Sequence, residues 1–262
     1  MRMPVITITS DWNSGDDYCG SLKARIMSEL PSATIIDITH SVVPFSIAQA
    51  AYVLRNTHRH FAAGTVHLIA VNTLPDPKPR FLAVEYRKQF FISTDNGIFS
   101  LLMDEEPEHI HEIVPADDPT VHCFPELSVF AGAAVHLASA KKLSDLGSPT
   151  TFKKTLLPLR PIPDDSMITG AVIYIDSYEN AITNITAELF RRVGKERSFE
   201  IMIQSIKYKI STISRTYSEV PEGDLVAIFN SAGWLEIAIN KGNAASLLAV
   251  SVNSIVRIKF FN

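Results

Sequence analysis

The chain has 262 residues, 46% of them hydrophobic and 20% charged, and a formal net charge of −4. That length suits one large domain or two modest ones with a well-buried core, and the slight acidity gives no electrostatic reason for nucleic acid or an anionic membrane as partner. Two cysteines, Cys19 and Cys123, are too few for a disulfide framework and fit a reduced, cytoplasmic compartment; strand-like sequence is reached by Val5, which leaves no room for a signal peptide, and no apolar run is long enough to span a bilayer.

The first element is a short strand, Val5, Ile6 and Ile8, that ends abruptly in a polar loop carrying Asp11, Asp16 and Asp17. In an open α/β sheet, ligands bind outside the carboxyl ends of the strands. The carboxylates of this loop can grip sugar hydroxyls, hold a cation or cap the next helix. Asp17 is the expected cap for a helix with Leu22, Ile26, Met27 and Leu30 on one face, ended by Pro31. Thr34–Ile38 reads as a buried strand. Ser46 is an expected N-cap for a helix carrying Ile47, Ala50, Ala51 and Leu54, and Thr65–Val71 as the next strand. Alternating strands and helices predict a mostly parallel sheet with flanking helices.

Residues 72–79 hold three prolines, which remove amide donors and predict a stiff loop. Phe81–Tyr86 and Gln89–Ser93 are too close for a crossover helix and predict a hairpin. Asp95-Asn96-Gly97 makes a turn, Ile110–Val114 a strand, and Glu126–Leu143 an amphipathic helix with small residues at 131–134. Prolines and glycine crowd residues 145–168. Beyond them the sequence turns β-rich: Ile168–Asp176, Ile182–Thr186, Phe199–Ser205, Tyr208–Ile213, Asp224–Asn230, Trp234–Asn240 and Ser254–Phe260. Such spacing predicts a small sandwich or barrel. The expected organisation is an α/β domain over 1–150, a linker over 151–167 and an all-β barrel domain over 168–262.

Several blocks, in order over nearly the whole chain, resemble one family. They are Ser10-Asp11-x4-Asp16-x-Tyr18-x-Gly20, Ile35-Ile-Asp-Ile-Thr-His40, Gly64-Thr-Val-His67, Asp95-Asn96-Gly97, Gly170-x-Val172-x3-Asp176-x3-Asn180-x-Ile182-Thr-Asn-Ile185, Val220-Pro-x-Gly223, Asn230-Ser-x-Gly233 and Glu236-Ile-Ala-x-Asn240-x-Gly242-Asn-Ala-Ala245. Together they look like the S-adenosylmethionine hydroxide adenosyltransferases, relatives of the fluorinase and chlorinase. The resemblance implies a seven-stranded α/β domain plus a β-barrel, and a homotrimer holding a nucleoside where one subunit's first domain meets a neighbour's second. It also implies hydrolysis of S-adenosylmethionine to adenosine and methionine by water attack at ribose C5′, with no cofactor and no metal. A sulfonium is already a good leaving group, so the protein mainly aligns a water and excludes bulk solvent. By position, Asp11 would bind the ribose diol, Phe45 would lie against the ligand, and Asp95 and Asn96 would join the binding set. In the second domain, Asp176 and Asn180 would recognise methionine or adenine, Tyr178 and Trp234 would stack on adenine, and Asn230 and Ser231 would bond the ligand's polar end. The absence of a long insertion between Tyr86 and Phe90 favours the hydrolytic branch over halogenation.

The chain departs from the family where water is positioned. The hydrolases carry Asp-Pro-Gly-Val-Gly-Thr-x-Arg after the third strand; here the Asp position is Asn72, the glycines are gone, and Pro79 stands at the Arg position with Arg80 one place later. The family's His corresponds to His122, followed by an altered Cys123-Phe-Pro-Glu. Asn72 cannot accept a proton as a carboxylate does. The candidate catalytic set is therefore His122, Asn72, Arg80 and Asp76. Losing such groups costs about 10²–10⁴-fold in rate, so a weak or inactive S-adenosylmethionine-binding or adenosine-binding protein is the alternative, and a metal-dependent phosphohydrolase using the Asp-rich loop a third. Asp16 and Asp17 read most simply as first-turn residues complementing the helix dipole, His40 as a support for its turn, and the pairs His58/His60 and His109/His111 as exposed surface histidines with no third ligand.

Overall fold

The computed structural model describes residues 3–13, 15–203 and 205–261. The chain divides into two compact units, Met1–Leu157 and Pro158–Asn262. No helix among the described residues is long and apolar enough to cross a membrane.

In the first unit the elements run β1 (Val5–Ser10), α1 (Asp17–Glu29), β2 (Thr34–Thr39), α2 (Ile47–Thr57), β3 (Val66–Ala70), β4 (Phe81–Tyr86), β5 (Gln89–Thr94), α3 (Ile98–Leu102), β6 (His109–Glu112) and α4 (Ala131–Ala138). The sheet order is β2-β1-β3-β5-β4-β6. β1 pairs in parallel with β2 and β3, and β3 in parallel with β5; the two pairings of β4 are antiparallel. The described residues thus give a six-stranded mixed sheet, one strand fewer than the resemblance implied. Side-chain alternation explains the three layers. Ile6, Ile8, Val66 and Leu68 face Leu22 and Ile26 of α1 and Ala134 of α4, whereas Ile69, Leu82 and Val84 face Ala50, Ala51 and Leu54 of α2. The crossovers from β1 and from β2 therefore cover opposite faces, and the carboxyl ends of β1 and β3 lie side by side with loops leaving in different directions. That is the crevice in which open α/β sheets bind ligands.

Several local expectations hold. The β4–β5 hairpin turns tightly through Arg87 and Lys88, both at positive φ (53° and 59°). Ser46 caps α2, its Oγ accepting from the Gln49 amide at 3.4 Å. Others are corrected. Asp16, not Asp17, occupies the N-cap of α1, without a side-chain cap bond. The helix expected over Glu126–Leu143 is a π-turn, Glu126–Phe130, followed by α4, and it stops at Ala138 because Ala140 takes a left-handed φ of 57°. His58 and His111 are buried rather than exposed: His58 Nδ1 bonds Gln89 Oε1 at 3.1 Å and His111 Nδ1 bonds the Gly147 carbonyl at 2.9 Å. His60 and His109 are exposed as read.

The second unit is built from β7 (Ile162–Pro163), β8 (Met167–Ile175), β9 (Ala181–Thr186), α5 (Ala187–Gly194), β10 (Ser198–Ile203), β11 (Ser205–Ile210), β12 (Leu225–Phe229), β13 (Trp234–Ile239), α6 (Ala244–Leu248) and β14 (Ile255–Phe261). The order β11-β10-β14-β8-β9-β13-β12 is antiparallel throughout, with β7 beside β8. The Ser214 amide donates to the Ala227 carbonyl at 2.8 Å, bringing the chain beyond β11 onto β12 and nearly closing a barrel. Its core holds Ile168, Val172, Ile185, Leu235, Ile237 and Ile258. The expected strand Phe199–Ser205 includes Gln204, which lies outside the described residues; its preceding part is β10. Sequence reading missed α5, capped where Thr186 Oγ1 accepts from the Leu189 amide at 3.1 Å, and α6.

Candidate functional site

Asp11 follows β1 and organises the crevice. Its Oδ2 accepts the Phe45 amide at 2.8 Å and the Asn72 amide at 3.4 Å. Both contacts fall on Oδ2, and among the described residues none falls on Oδ1. Phe45 and Asn72 each hold a left-handed backbone, φ 67° and 48°. In a bulky residue such as Phe45 that conformation costs about 1–3 kcal/mol and persists only where its surroundings enforce it. Here the enforcing groups are the Asp11 carboxylate and the Ile47 amide, which donates to the Phe45 carbonyl at 3.0 Å. The Phe45 ring is left 72% exposed, an apolar face presented to solvent beside a carboxylate.

Asn72 is fixed from the other side by Asn96, whose Nδ2 donates to the Val71 carbonyl at 3.0 Å and the Asn72 carbonyl at 2.9 Å, while its Oδ1 accepts from the Ile98 amide. Gly97, at φ 99°, makes that turn possible. Asp95 is buried and ion-paired with Arg80 (Nη1–Oδ2 2.5 Å), and accepts the Lys153 amide at 2.9 Å. Arg80 also donates to Glu112 Oε2 from Nη2 at 2.8 Å and to Thr150 Oγ1 at 2.7 Å. The Glu112 carboxyl is held below its usual range chiefly by the Arg80 hydrogen bond. Arg80, Asp95 and Asn96 thus come together as a scaffold behind the β3 loop, with their side-chain hydrogen bonds spent on protein groups. Asp76 pairs with the Lys154 ammonium on the surface.

His122 is exposed at the end of a 3₁₀ turn, Pro119–His122. Phe124, two residues on, packs edge-on against Trp12 (centroids 5.6 Å) and Tyr18 (5.2 Å), and Trp12 and Tyr18 lie 5.7 Å apart. This aromatic trio ties the His122 turn to the Asp11 loop across more than a hundred residues of sequence. Trp12 and Phe124 escaped the sequence reading; an aromatic placed directly after the strand-end Asp was the signal for the first.

Glu126 was also missed. It is 3% exposed at the start of the π-turn, and Thr73 Oγ1 donates to its Oε1 at 2.7 Å. Burial pushes its carboxyl up, against the Thr73 hydrogen bond, and the Asp11 charge adds to the rise. A protonatable carboxyl is therefore bonded to Thr73, the neighbour of Asn72 on the loop after β3. π-turns of this kind recur at functional sites. Nothing in a single sequence shows that a Glu beginning an apolar helix will be turned inward.

In the second unit Asp176 shapes the β8–β9 turn: Oδ1 accepts the Tyr178 and Asn180 amides, each at 2.9 Å, and Oδ2 accepts Asn180 Nδ2 at 3.0 Å. Tyr178 projects outward, 75% exposed. Asn230 Oδ1 accepts the Trp234 amide at 3.1 Å and its Nδ2 donates to Glu236 Oε2 at 3.2 Å. Glu236 is buried and also accepts Tyr217 Oη at 2.6 Å. Burial first, and then that hydrogen bond, raise the Tyr217 phenol above its ordinary value, and the Asp176 charge contributes. So Asp176, Asn180 and Tyr178 form one cluster, and Asn230 and Trp234 another that extends through Glu236 to Tyr217, two residues the sequence reading did not single out. Ser231 is exposed on the turn and Trp234 half-buried.

Comparison with known proteins adds the following. The profile of the SAM hydroxide adenosyltransferase N-terminal domain matches residues 6–147, and that of the SAM hydroxide adenosyltransferase C-terminal domain matches residues 170–257. A curated relative from Thermus thermophilus, named (R)-S-adenosyl-L-methionine hydrolase, is 29% identical over 98% of this chain and 100% of its own length. A fluorinase from an Actinoplanes species is 22% identical, covering 90% of this chain and 91% of its own. The crystal structure of an uncharacterised conserved protein from Thermotoga maritima superposes with a TM-score of 0.89 at 28% identity, over 97% of this chain and 99% of that one.

Proposed function

The chain belongs to the SAM hydroxide adenosyltransferase family, and on that premise we propose that it hydrolyses S-adenosylmethionine to adenosine and methionine. The observation that supports this reading is the Asp11 carboxylate at the end of β1, whose Oδ2 is engaged by the amides of Phe45 and Asn72, two left-handed loop residues. Asp11 accepts from the ribose hydroxyls, and the exposed Phe45 ring covers the nucleoside. Asp95, Asn96 and Arg80 hold the loop that carries Asn72. Water attacks C5′, forming the C–O bond as the C–S bond breaks, and the electron pair leaves with the methionine sulfur. His122 or Glu126 accepts the water's proton, in place of the acid absent at Asn72. In the second unit Asp176, Tyr178, Asn180, Asn230, Ser231 and Trp234 supply the remaining ligand contacts. A trimer, no cofactor, a cytoplasmic location and no nucleic-acid or membrane partner belong to the same proposal.

A second reading, a nucleoside-binding protein with little turnover, is favoured by one observation. Asn72 has no carboxylate and its carbonyl is pinned by Asn96, so the residue cannot swing to replace the lost base. Incubation with each sulfonium epimer of S-adenosylmethionine, followed by chromatography of the products, separates the two. Hydrolysis predicts adenosine and methionine in equal amounts from the R epimer, for which the Thermus relative is named. Measurable calorimetric binding without adenosine above spontaneous breakdown would leave only the binding reading.

A further inference from the structure

Behind the Asp11 loop lies a group of side chains that the reaction does not use. Cys19 on the first turn of α1, Asp37 in β2 and His40 just beyond β2 each present one donor atom, all within 4.8 Å of one another. His40 Nε2 lies 3.2 Å from Cys19 Sγ and 3.2 Å from Asp37 Oδ1. Around a tetrahedral zinc ion, with a metal–sulfur distance near 2.3 Å and metal–nitrogen and metal–oxygen distances near 2.0 Å, donor atoms stand about 3.3–3.6 Å apart. The two spacings from His40 Nε2 need only a few tenths of an ångström of expansion, and Cys19 and Asp37 lie within 4.8 Å of each other. The other imidazole nitrogen, Nδ1, is held by Ser10 Oγ at 2.7 Å. With Nδ1 donating to the hydroxyl, that outer hydrogen bond fixes the ring and leaves Nε2 to an ion, as the outer partners of metal-binding histidines do.

We propose that Cys19, Asp37 and His40 form a binding site for a borderline-soft divalent cation, zinc in preference to magnesium or calcium. A thiolate and an imidazole select against the hard cations, which take oxygen ligands. Three protein ligands leave the fourth position to water. The Lys23 ammonium, paired with Asp37 Oδ2 at 2.5 Å, is the present neighbour of this donor set. It is an exposed pair of low strength, 31% and 39% exposed, and the ion displaces it while binding releases the thiol proton of Cys19. The site borders the ligand loop directly: the Asn13 amide donates to the His40 carbonyl at 3.0 Å, and the Trp12 ring lies parallel to the imidazole at 6.5 Å. Zinc therefore clasps α1 to the turn after β2 and stiffens the loop that carries Asp11. Cys19 comes from a segment separate from Asp37 and His40, and the pair alone is too small a signal for spacing rules.

The test is a cobalt(II) titration of the chelator-treated full chain, read by the thiolate-to-cobalt charge-transfer band in the near ultraviolet. The expected result is a saturable band at one equivalent that zinc abolishes, that disappears in Cys19→Ser and that persists in Cys123→Ser. Lys23→Gln, which removes the competing ammonium, should tighten binding several-fold. Absence of saturation at about 1 mM metal, survival of the band in Cys19→Ser, or binding no tighter in Lys23→Gln than in the unaltered protein would each overturn the proposal.

Discussion

Asp11 does two things with one carboxylate. It accepts the amides of two left-handed residues, and in the proposed reaction it grips the ribose. Replacing it by alanine should weaken nucleoside binding about ten- to a hundredfold, the worth of a charge-assisted hydrogen bond, measured by calorimetry. Glu126 and His67 should shape the pH dependence of stability in opposite senses. Burial raises the Glu126 carboxyl above its ordinary 4.5, so between that pH and its raised folded value the unfolded chain loses a proton that the folded chain keeps. Stability then falls as pH rises, by up to about 1.4 kcal/mol per unit. Glu126→Gln keeps an acceptor for Thr73 and removes this titration; its melting temperature should exceed that of the unaltered protein by a margin that grows with pH. His67 is fully buried, its Nδ1 on Thr7 Oγ1 at 2.8 Å, and burial lowers it from 6.5 to about 3. Here the unfolded chain binds the extra proton, so stability is complete above 6.5 and declines as pH falls toward 3. In denaturant unfolding the acid-side slope should be shallower in His67→Asn. Asp11 was legible from its place after an apolar run. The inward turn of Glu126 and the burial of His58 against Gln89 were not, because their partners come from distant strands and loops.

At the scale of elements, Arg80 at the entry to β4 joins β5, β6 and the chain beyond residue 150 through Asp95, Glu112 and Thr150. Its side chain is 15% exposed and that of Asp95 3%. Removing one member of a buried pair strands the other charge. Arg80→Met should therefore cost about 3–5 kcal/mol in denaturant unfolding; a loss near zero would show that Arg80 serves the site alone. The β4–β5 hairpin was readable because two apolar runs meet with only Arg87 and Lys88 between them. The break at Ala140 was not, since Ser139-Ala140-Lys141 carries no glycine or proline to announce it. The six-strand count likewise depends on pairing across the sheet, which periodicity does not reveal. The same holds for α5, whose Thr186 cap is visible in sequence but whose eight residues sit within a run of strands.

At the scale of the molecule, the two units differ in what they build. The first has the parallel strands and the crevice at the ends of β1 and β3; the second has clusters around Asp176 and Asn230 whose polar atoms are preset by turns. The change from alternating helices and strands to strands at close intervals made this division legible, and the order of the family blocks made the fold legible. Assembly is a separate matter: the proposed trimer predicts about three times the mass of a 29.0 kDa chain by sedimentation, and a monomer would remove it from the account. The central claim is that water displaces methionine from C5′ at the Asp11 crevice. Its most direct measurement is turnover of (R)-S-adenosylmethionine in heavy-oxygen water, with mass spectrometry of the adenosine formed. The account predicts one heavy oxygen, on the 5′ hydroxyl, and about ten- to a hundredfold less adenosine from Asp11→Ala at substrate concentrations below saturation. Adenosine without the label, or as much of it from Asp11→Ala as from the unaltered protein, would contradict it.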